Sequence, residues 1–376
     1  MTSMLPAIPP AFGNLKDVFR SAQKSVLGQE NTFALPKVSS AIVVMVDGLG
    51  AKNLEVSQQY ARFLSSASQS TIYSGFPSTT ASSITTFATG VSNSEHGLFG
   101  YKIFDRSRQE SVNLLSGIDK YSVLDYLKVE PISTEVLCQV HAVTLPEYAE
   151  SGFTRATMHT AQHHFADSIS DRIEKAVDLA RADNSLVYVY VPELDQAAHR
   201  FGVASTEWLS LLSELDVQIQ RSSSRLAEGI GMLVTSDHGI VDVEKQNHIY
   251  LDELAELNDE FSDVAGDPRV AFLYLQDRSR AETIRQILAE RVAGSAVVCT
   301  PDELLNAGYW QDSLLQDEDL LPDLIVLATA NVAIYHRRFA KANSLKMIGQ
   351  HGALSQEEIS IPLIRLGAYS SSLLVP

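Results

Sequence analysis

Short apolar runs alternate along the chain with longer segments in which apolar residues return every three or four positions. This pattern predicts a mainly parallel sheet covered by helices on both faces, an α/β fold. The runs fall at 41–46, 135–140, 186–191, 230–235 and 361–366, each short enough for a strand buried on both sides. Ser205 is placed to cap a helix through Trp208, Leu211, Leu212, Leu215 and Ile219, a spacing that puts the apolar groups on one face. A second helix is expected over Ile169 to Ala182.

Residues 244–346 carry an alternation of their own. Val270 to Leu275, Ala296 to Val298 and Leu324 to Leu327 read as strands, Ala281 to Val292 as a helix, and Pro301 to Ala307 as a short helix. The segment is expected to form a small α/β cap inserted into a core made by 1–243 and 347–376. With 376 residues, 45% of them hydrophobic, the chain is large enough to bury both.

The charge balance, 29 basic against 46 acidic residues and hence −17, disfavours broad attachment to a nucleic-acid polymer or an anionic membrane. It leaves room for a small anionic substrate, because bound cations reverse the field locally. No apolar run approaches the roughly 20 residues needed to span a bilayer. The first ten residues lack a basic stretch followed by an apolar one, and Cys138 and Cys299 are the only cysteines, so a cytoplasmic location is expected.

The chemistry-bearing residues sit just past the strand candidates, where open α/β sheets place their ligand sites. Asp47-Gly48 follows 41–46, Asp195 and His199 follow 186–191, and Asp237-His238-Gly239 follows 230–235. Gly349-Gln350-His351-Gly352 comes near the C-terminus. Asp195 and His199, four apart, share one side of a helical turn. Taken singly, Asp-Gly is most often a turn and a lone histidine an ordinary hydrogen-bonded one. The ordered set is far more specific. Carboxylates and imidazoles together suit zinc, with manganese as the alternative. Phe76-Pro77-Ser78-Thr79-Thr80 lies between the first two pieces and can supply a hydroxyl nucleophile.

Together these residues resemble the alkaline phosphatase superfamily, and most closely its nucleotide pyrophosphatase/phosphodiesterase branch. The resemblance implies two divalent metal ions, one held by Asp195, His199 and His351, the other by Asp47, Asp237, His238 and Thr80. It implies that Thr80, aligned with the branch's attacking threonine in Pro77-Ser78-Thr79-Thr80, forms a covalent phospho-threonine intermediate. Thr85 to Gly90 resembles the helix and Thr-Gly turn that follow. Thr80 alone would otherwise read as a helix N-cap.

The sequence departs from the branch after Thr80, where Ala81-Ser82-Ser83-Ile84 replaces Phe-Pro-Asn-His. The asparagine that helps bind a phosphate oxygen falls on Tyr101, so Tyr101 or Lys102 is expected to donate there. The sulfatase signature Cys-x-Pro-x-Arg is absent, since Cys299-Thr300-Pro301-Asp302-Glu303 ends on glutamate. The expected activity is hydrolysis of a phosphodiester or nucleotide pyrophosphate bond in a small phosphate-ester substrate. A phosphomonoesterase or phosphonate hydrolase, a phosphotransferase or mutase, and an inactive binding protein are the alternatives. His159, His163 and His164 fall outside the pattern and are expected on a surface or cap-facing loop.

Overall fold

The computed structural model describes residues 5–6, 13–121, 125–135, 137–149, 151–311 and 317–370. In chain order its strands are β1 (Ser40–Val46), β2 (Gln69–Tyr73), β3 (Lys102–Asp105), β4 (Glu110–Asn113), β5 (Gln139–Thr144) and β6 (Gln162–Phe165). They continue with β7 (Ser185–Val191), β8 (Ile230–Thr235), β9 (Val241–Asp242), β10 (His248–Tyr250), β11 (Phe261–Asp267) and β12 (Val270–Leu275). The last are β13 (Ala296–Cys299), β14 (Leu324–Ala328), β15 (Ala333–Tyr335), β16 (Gly349–Gln350) and β17 (Ser360–Gly367).

A seven-stranded sheet in the order β2-β17-β8-β1-β7-β5-β6 forms the centre. From β8 through β6 every neighbour is parallel, whereas β17 runs antiparallel to both β8 and β2. β1 shows why its run is uninterrupted. Ile42, Val44 and Val46 face a core completed by Ile173 and Val177 of the helix Ile169–Leu179 and by Trp208, Leu212 and Leu215. Ala41, Val43 and Met45 face the other layer, built from Phe19 of the helix Lys16–Val26 and Phe87. A residue on either face of the strand is therefore buried, and alternation disappears.

The helix expected after Ser205 spans Thr206–Ser223, and the Ser205 side chain accepts the Trp208 N–H. One strand expectation is displaced. The run at 135–140 divides into a 3-10 turn, Ile132–Glu135, and a strand that begins only at Gln139, with Val136 outside the described residues. His141 misled the pattern: it is buried in the middle of β5, where its Nδ1 meets His164 Nε2 at 3.2 Å instead of water.

A second, four-stranded antiparallel sheet, β11-β12-β14-β13, lies in the later half of the chain. Its apolar cluster also takes Leu98, Phe99, Ile103 and Leu114 from the segment around the β3–β4 hairpin. The second sheet is thus seated on the residues that follow Thr80. No helix among the described residues is long and apolar enough to cross a membrane.

Candidate metal centre

Three adjacent parallel strands, β8, β1 and β7, end side by side and deliver the acidic groups. Asp47 follows β1, Asp237 and His238 lie just past β8, and the helix Glu193–Phe201 after β7 carries Asp195 and His199 one turn apart. His351 arrives from the loop after β16, which β9 pairs antiparallel. All but His199 are less than a tenth exposed, and Asp237 and His238 are fully buried. The backbones must come close for this to work. A Cβ on Gly239 would sit 1.9 Å from the Glu357 carbonyl oxygen, so only glycine fits behind His238.

The imidazoles are oriented in one way. Nδ1 of His199 donates to the Gly349 carbonyl at 2.8 Å, Nδ1 of His351 to the Ser78 carbonyl at 3.0 Å, and Nδ1 of His238 to the Gly239 carbonyl at 3.1 Å. A carbonyl oxygen only accepts, so each Nδ1 holds a proton and Nε2 is the nitrogen left to face a metal. The carboxylates are split likewise. Asp47 Oδ2 accepts the Tyr190 hydroxyl, and Asp237 Oδ1 accepts the N–H groups of Gly48 at 3.2 Å and His238 at 3.0 Å. Asp47 Oδ1, Asp195 Oδ1 and Asp237 Oδ2 are buried without a hydrogen-bond partner.

The groups converge. Asp195, His238 and His351 offer ligand atoms within 4.8 Å of one another, and so do Asp47, Asp237 and His238. His199 Nε2 stands 3.2 Å from Asp195 Oδ2. His238 and His351 stack with centroids 3.8 Å apart, so His238 lies between the groups rather than wholly within the one expected for it.

Burial, with Asp237 and Asp195 nearby, pushes the Asp47 carboxyl well above its ordinary range, and burial raises Asp237 too. Burial opposes charge at Asp195 and His199, yet His199 holds Asp195 low and Asp195 lifts His199 to about 9. Among the described residues no lysine or arginine pairs with any of the three carboxylates. Two divalent cations fit this donor set, leaving about one positive charge in excess for a phosphate.

Thr80 is the first residue of the helix Thr80–Thr89, and its Oγ1 lies 3.1 Å from His238 Nε2. It is not the N-cap; Thr79 is, and its hydroxyl turns away from the helix to Asp267 Oδ1 at 3.3 Å. The helix closes at Gly90, left-handed with φ 74°, as the Thr-Gly turn required. Ser78 ties the loop before Thr80 to the His351 loop through its N–H to the Gly352 carbonyl and its hydroxyl to the Ala353 carbonyl.

A cavity of about 800 Å³ opens beside Thr80. Tyr101 lines it, hydrogen-bonded through its hydroxyl to Asn113, and burial raises its pKa. Lys102 is committed to Asp263 at 3.0 Å and to the Val264 carbonyl at 3.1 Å. Two cavity residues escaped the sequence reading. Tyr190 was visible in the alternation of β7 but not its bond to Asp47; Asp267 lay in an anonymous hairpin.

His159, His163 and His164 do not join the centre. His159 is exposed at the end of the helix Gly152–Met158. His163 and His164 sit half-buried in the edge strand β6 rather than on a loop, His163 bonded to the Met158 carbonyl. An edge strand needs no apolar run, which hid it.

The sheet with this constellation at its carboxyl edge defines a hydrolase of the alkaline phosphatase superfamily. The profile of the family described as Type I phosphodiesterase/nucleotide pyrophosphatase matches residues 41–354, and the chain belongs to that family. Its enzymes use divalent metals.

Human ectonucleotide pyrophosphatase/phosphodiesterase 5 is similar in structure, with a TM-score of 0.67 at 16% identity over 87% of each chain. Its inactive murine counterpart in complex with AMP gives a TM-score of 0.66 at 18% identity, over 87% of this chain and 88% of that one. Phosphonoacetate hydrolase from Sinorhizobium meliloti 1021 bound to phosphonoacetate gives 0.65 at 17%, over 88% and 91%. No curated protein matches the sequence.

Proposed function

We propose that the protein hydrolyses a phosphodiester or nucleotide pyrophosphate bond through a phospho-threonine intermediate at Thr80. The observation that carries this is the convergence of Asp195, His238 and His351, and of Asp47, Asp237 and His238, with the Thr80 hydroxyl 3.1 Å from His238 Nε2. Asp195, His199 and His351 hold one ion and Asp47, Asp237, His238 and Thr80 the other, zinc in first place and manganese in second. The ions supply the positive charge that eases loss of the Thr80 proton and neutralises the phosphoryl oxygens.

Thr80 Oγ1 forms the bond to phosphorus as the bond to the leaving oxygen breaks. Water then attacks phosphorus, the Oγ1–P bond breaks, and the proton returns to Thr80. The first turn of the helix Thr80–Thr89 aims N–H groups at the reacting phosphoryl group. In the domain arrangement we favour, 1–243 with 347–376 supplies this core, and 244–346 caps it and selects the group beyond phosphorus.

A diester is preferred because it carries a single negative charge. A monoester dianion asks for further cations; no arginine among the described residues lines the cavity, Lys102 is engaged by Asp263 and Lys120 by Glu110, which leaves Lys341 as the cation to test. Phosphonate hydrolysis is the second reading, supported by the likeness to the Sinorhizobium enzyme. Cys138 and Cys299, both free and buried, suit a reducing compartment such as the cytoplasm.

The test is metal analysis of the purified protein, then matched assays of aryl diester, dinucleotide, aryl monoester and phosphonoacetate in labelled water. Two ions per chain and the highest kcat/KM on a diester or dinucleotide are expected, with label in the phosphate product. A monoester preference refutes the diesterase, and label-free transfer to an alcohol makes it a phosphotransferase. Tyr101→Phe should lower kcat more than it raises KM.

A further inference from the structure

A basic stretch interrupts this acidic chain close to its last metal-ligand candidate. From His336 to Gln350 the sequence carries Arg337, Arg338, Lys341 and Lys346 and no acidic residue, in a protein whose formal charge is −17. The stretch links β15 to β16 and forms a strap along one wall of the cavity beside Thr80. Its turns are closed by its own backbone. The His336 carbonyl accepts the Phe339 and Ala340 N–H groups, each at 3.0 Å, which brings Lys341 back toward His336. The Tyr335 hydroxyl ties the two ends together, donating to the Ser344 carbonyl at 3.0 Å and accepting from Gln350 Nε2 at 3.1 Å. Gln350 precedes His351, so the strap is rooted beside the metal centre.

Two cavity-lining groups of the strap are left over. Arg337 is engaged by Asp252 at 2.8 Å and Glu253 at 2.7 Å and lies 3.7 Å over the Tyr250 ring. Lys341 lines the cavity, and no carboxylate among the described residues pairs with it, whereas Lys102 is held by Asp263 and Lys120 by Glu110. His336 lines the same cavity and is 4% exposed, and neither of its ring nitrogens has a hydrogen-bond partner. Its ring packs against Phe261 and Phe339. An imidazole carries at least one N–H in either protonation state, so a donor stands here among aromatic rings with nothing to receive it. The acids nearby do not fill the gap: Glu110 also accepts the Tyr121 hydroxyl, and Asp47 and Asp195 belong to the metal centre.

We propose that the strap is the specificity element of the site, with Lys341 and His336 binding a second oxyanion of the substrate, a phosphate or carboxylate on the group beyond the phosphorus at Thr80. A flexible ammonium supplies a point charge that suits either oxyanion, and the imidazole N–H adds a directional hydrogen bond. Among substrates of the proposed reaction, this pair selects those with two anionic groups, a nucleotide pyrophosphate over a simple diester.

The proposal rests on the hydrolase reading, and the experiment separates the two. Three ligands are titrated calorimetrically into zinc-loaded Thr80→Ala protein, a background chosen to keep them intact. The para-nitrophenyl ester of thymidine monophosphate carries one anionic group, the same ester of thymidine diphosphate carries two, and the para-carboxyphenyl ester of the monophosphate adds a carboxylate. The diphosphate should bind about tenfold more tightly than the one-anion ester. Lys341→Met should remove most of that gain and His336→Phe about threefold of it, while either changes the one-anion ester by less than about twofold. Lys341→Arg should keep the gain. Lys346→Met removes the same charge from a part of the strap that does not line the cavity, and should leave all three affinities alone.

If neither two-anion ligand gains over the one-anion ester, the proposal is overturned. It is also overturned if Lys341→Met weakens all three alike, which would put Lys341 on the phosphoryl group itself, or if Lys346→Met matches Lys341→Met, which would leave only a general field. A gain lost in Lys341→Met and confined to one two-anion ligand supports the proposal and names the oxyanion. Lys341 is exposed, so its variants carry the test even if the His336 variant does not fold. Turnover of the one-anion ester by wild type is measured alongside. Binding that depends on the strap without turnover sinks the hydrolase and leaves the strap; turnover without such binding sinks the strap alone.

Discussion

Arg269→Met tests whether a buried ion pair clamps the second sheet to the metal centre. Arg269 is 2% exposed and Glu358 is fully buried. The guanidinium meets Glu358 through Nε at 3.2 Å and Nη2 at 2.8 Å, and Nη1 donates to the carbonyls of Ala330 at 2.6 Å and Val332 at 2.8 Å. Glu358 Oε1 in turn accepts the Ala353 N–H at 2.9 Å, two residues past His351. Methionine fills much of the space but leaves Glu358 with that single N–H. Stranding one member of a buried pair costs about 3–5 kcal/mol.

Unfolding entropy of about 2.1 cal/mol/K per residue, over 376 residues, gives about 0.8 kcal/mol/K and hence a fall in Tm of about 4–6 °C. Calorimetry in chelator measures it free of metal linkage. Arg269→Met combined with Glu358→Leu should recover about half of the loss, because no unpaired charge is left behind. A fall below about 1 °C, or a double variant no better than the single one, refutes the clamp.

Thr80→Ala should abolish turnover and keep both ions, whereas Thr79→Ala should be much milder; equal losses would move the nucleophile. Tyr190→Phe removes the hydroxyl that holds Asp47 Oδ2 and should weaken metal binding about 10- to 100-fold, read by competition with a chelator. Unchanged affinity would leave Tyr190 a packing residue only. His199, lifted from its ordinary 6.5 to about 9 by Asp195 against burial, must lose a proton to bind metal. Zinc affinity should therefore rise about tenfold per pH unit up to about 9 and then level. In the metal-free protein the same shift stabilises the fold below about 6.5 and is lost as pH climbs through about 9. A flat zinc-affinity profile contradicts the His199 assignment.

What the sequence revealed follows from burial. β1, β7, β8 and β17 are covered on both sides, so their apolar runs are continuous and their ends locate Asp47, Asp195 and Asp237. β2, with only Ile72 fully enclosed, and β6, Gln-His-His-Phe, lie at the sheet edges and leave no such trace. The candidate ligand residues were legible because each piece follows a strand or repeats a family spacing. Asp267 was not, since its position depends on the second sheet docking over the segment after Thr80, and no local spacing encodes that. The same holds for the His238–His351 stack, a contact between residues far apart in the chain.

The placement of β17 sets a timetable for biosynthesis. Tyr73 of β2 pairs with Ser360, and Thr235 of β8 pairs with Leu363. A ribosome adding about 5–20 residues per second must run for roughly 15 to 60 s after β2 emerges before its partner exists. Until then the nascent chain exposes the open flank of β8 and lacks His351, so neither the sheet nor the ion sites can close. The seven-stranded sheet therefore closes only after β17 has been made, and chaperone demand during synthesis should centre on that waiting edge.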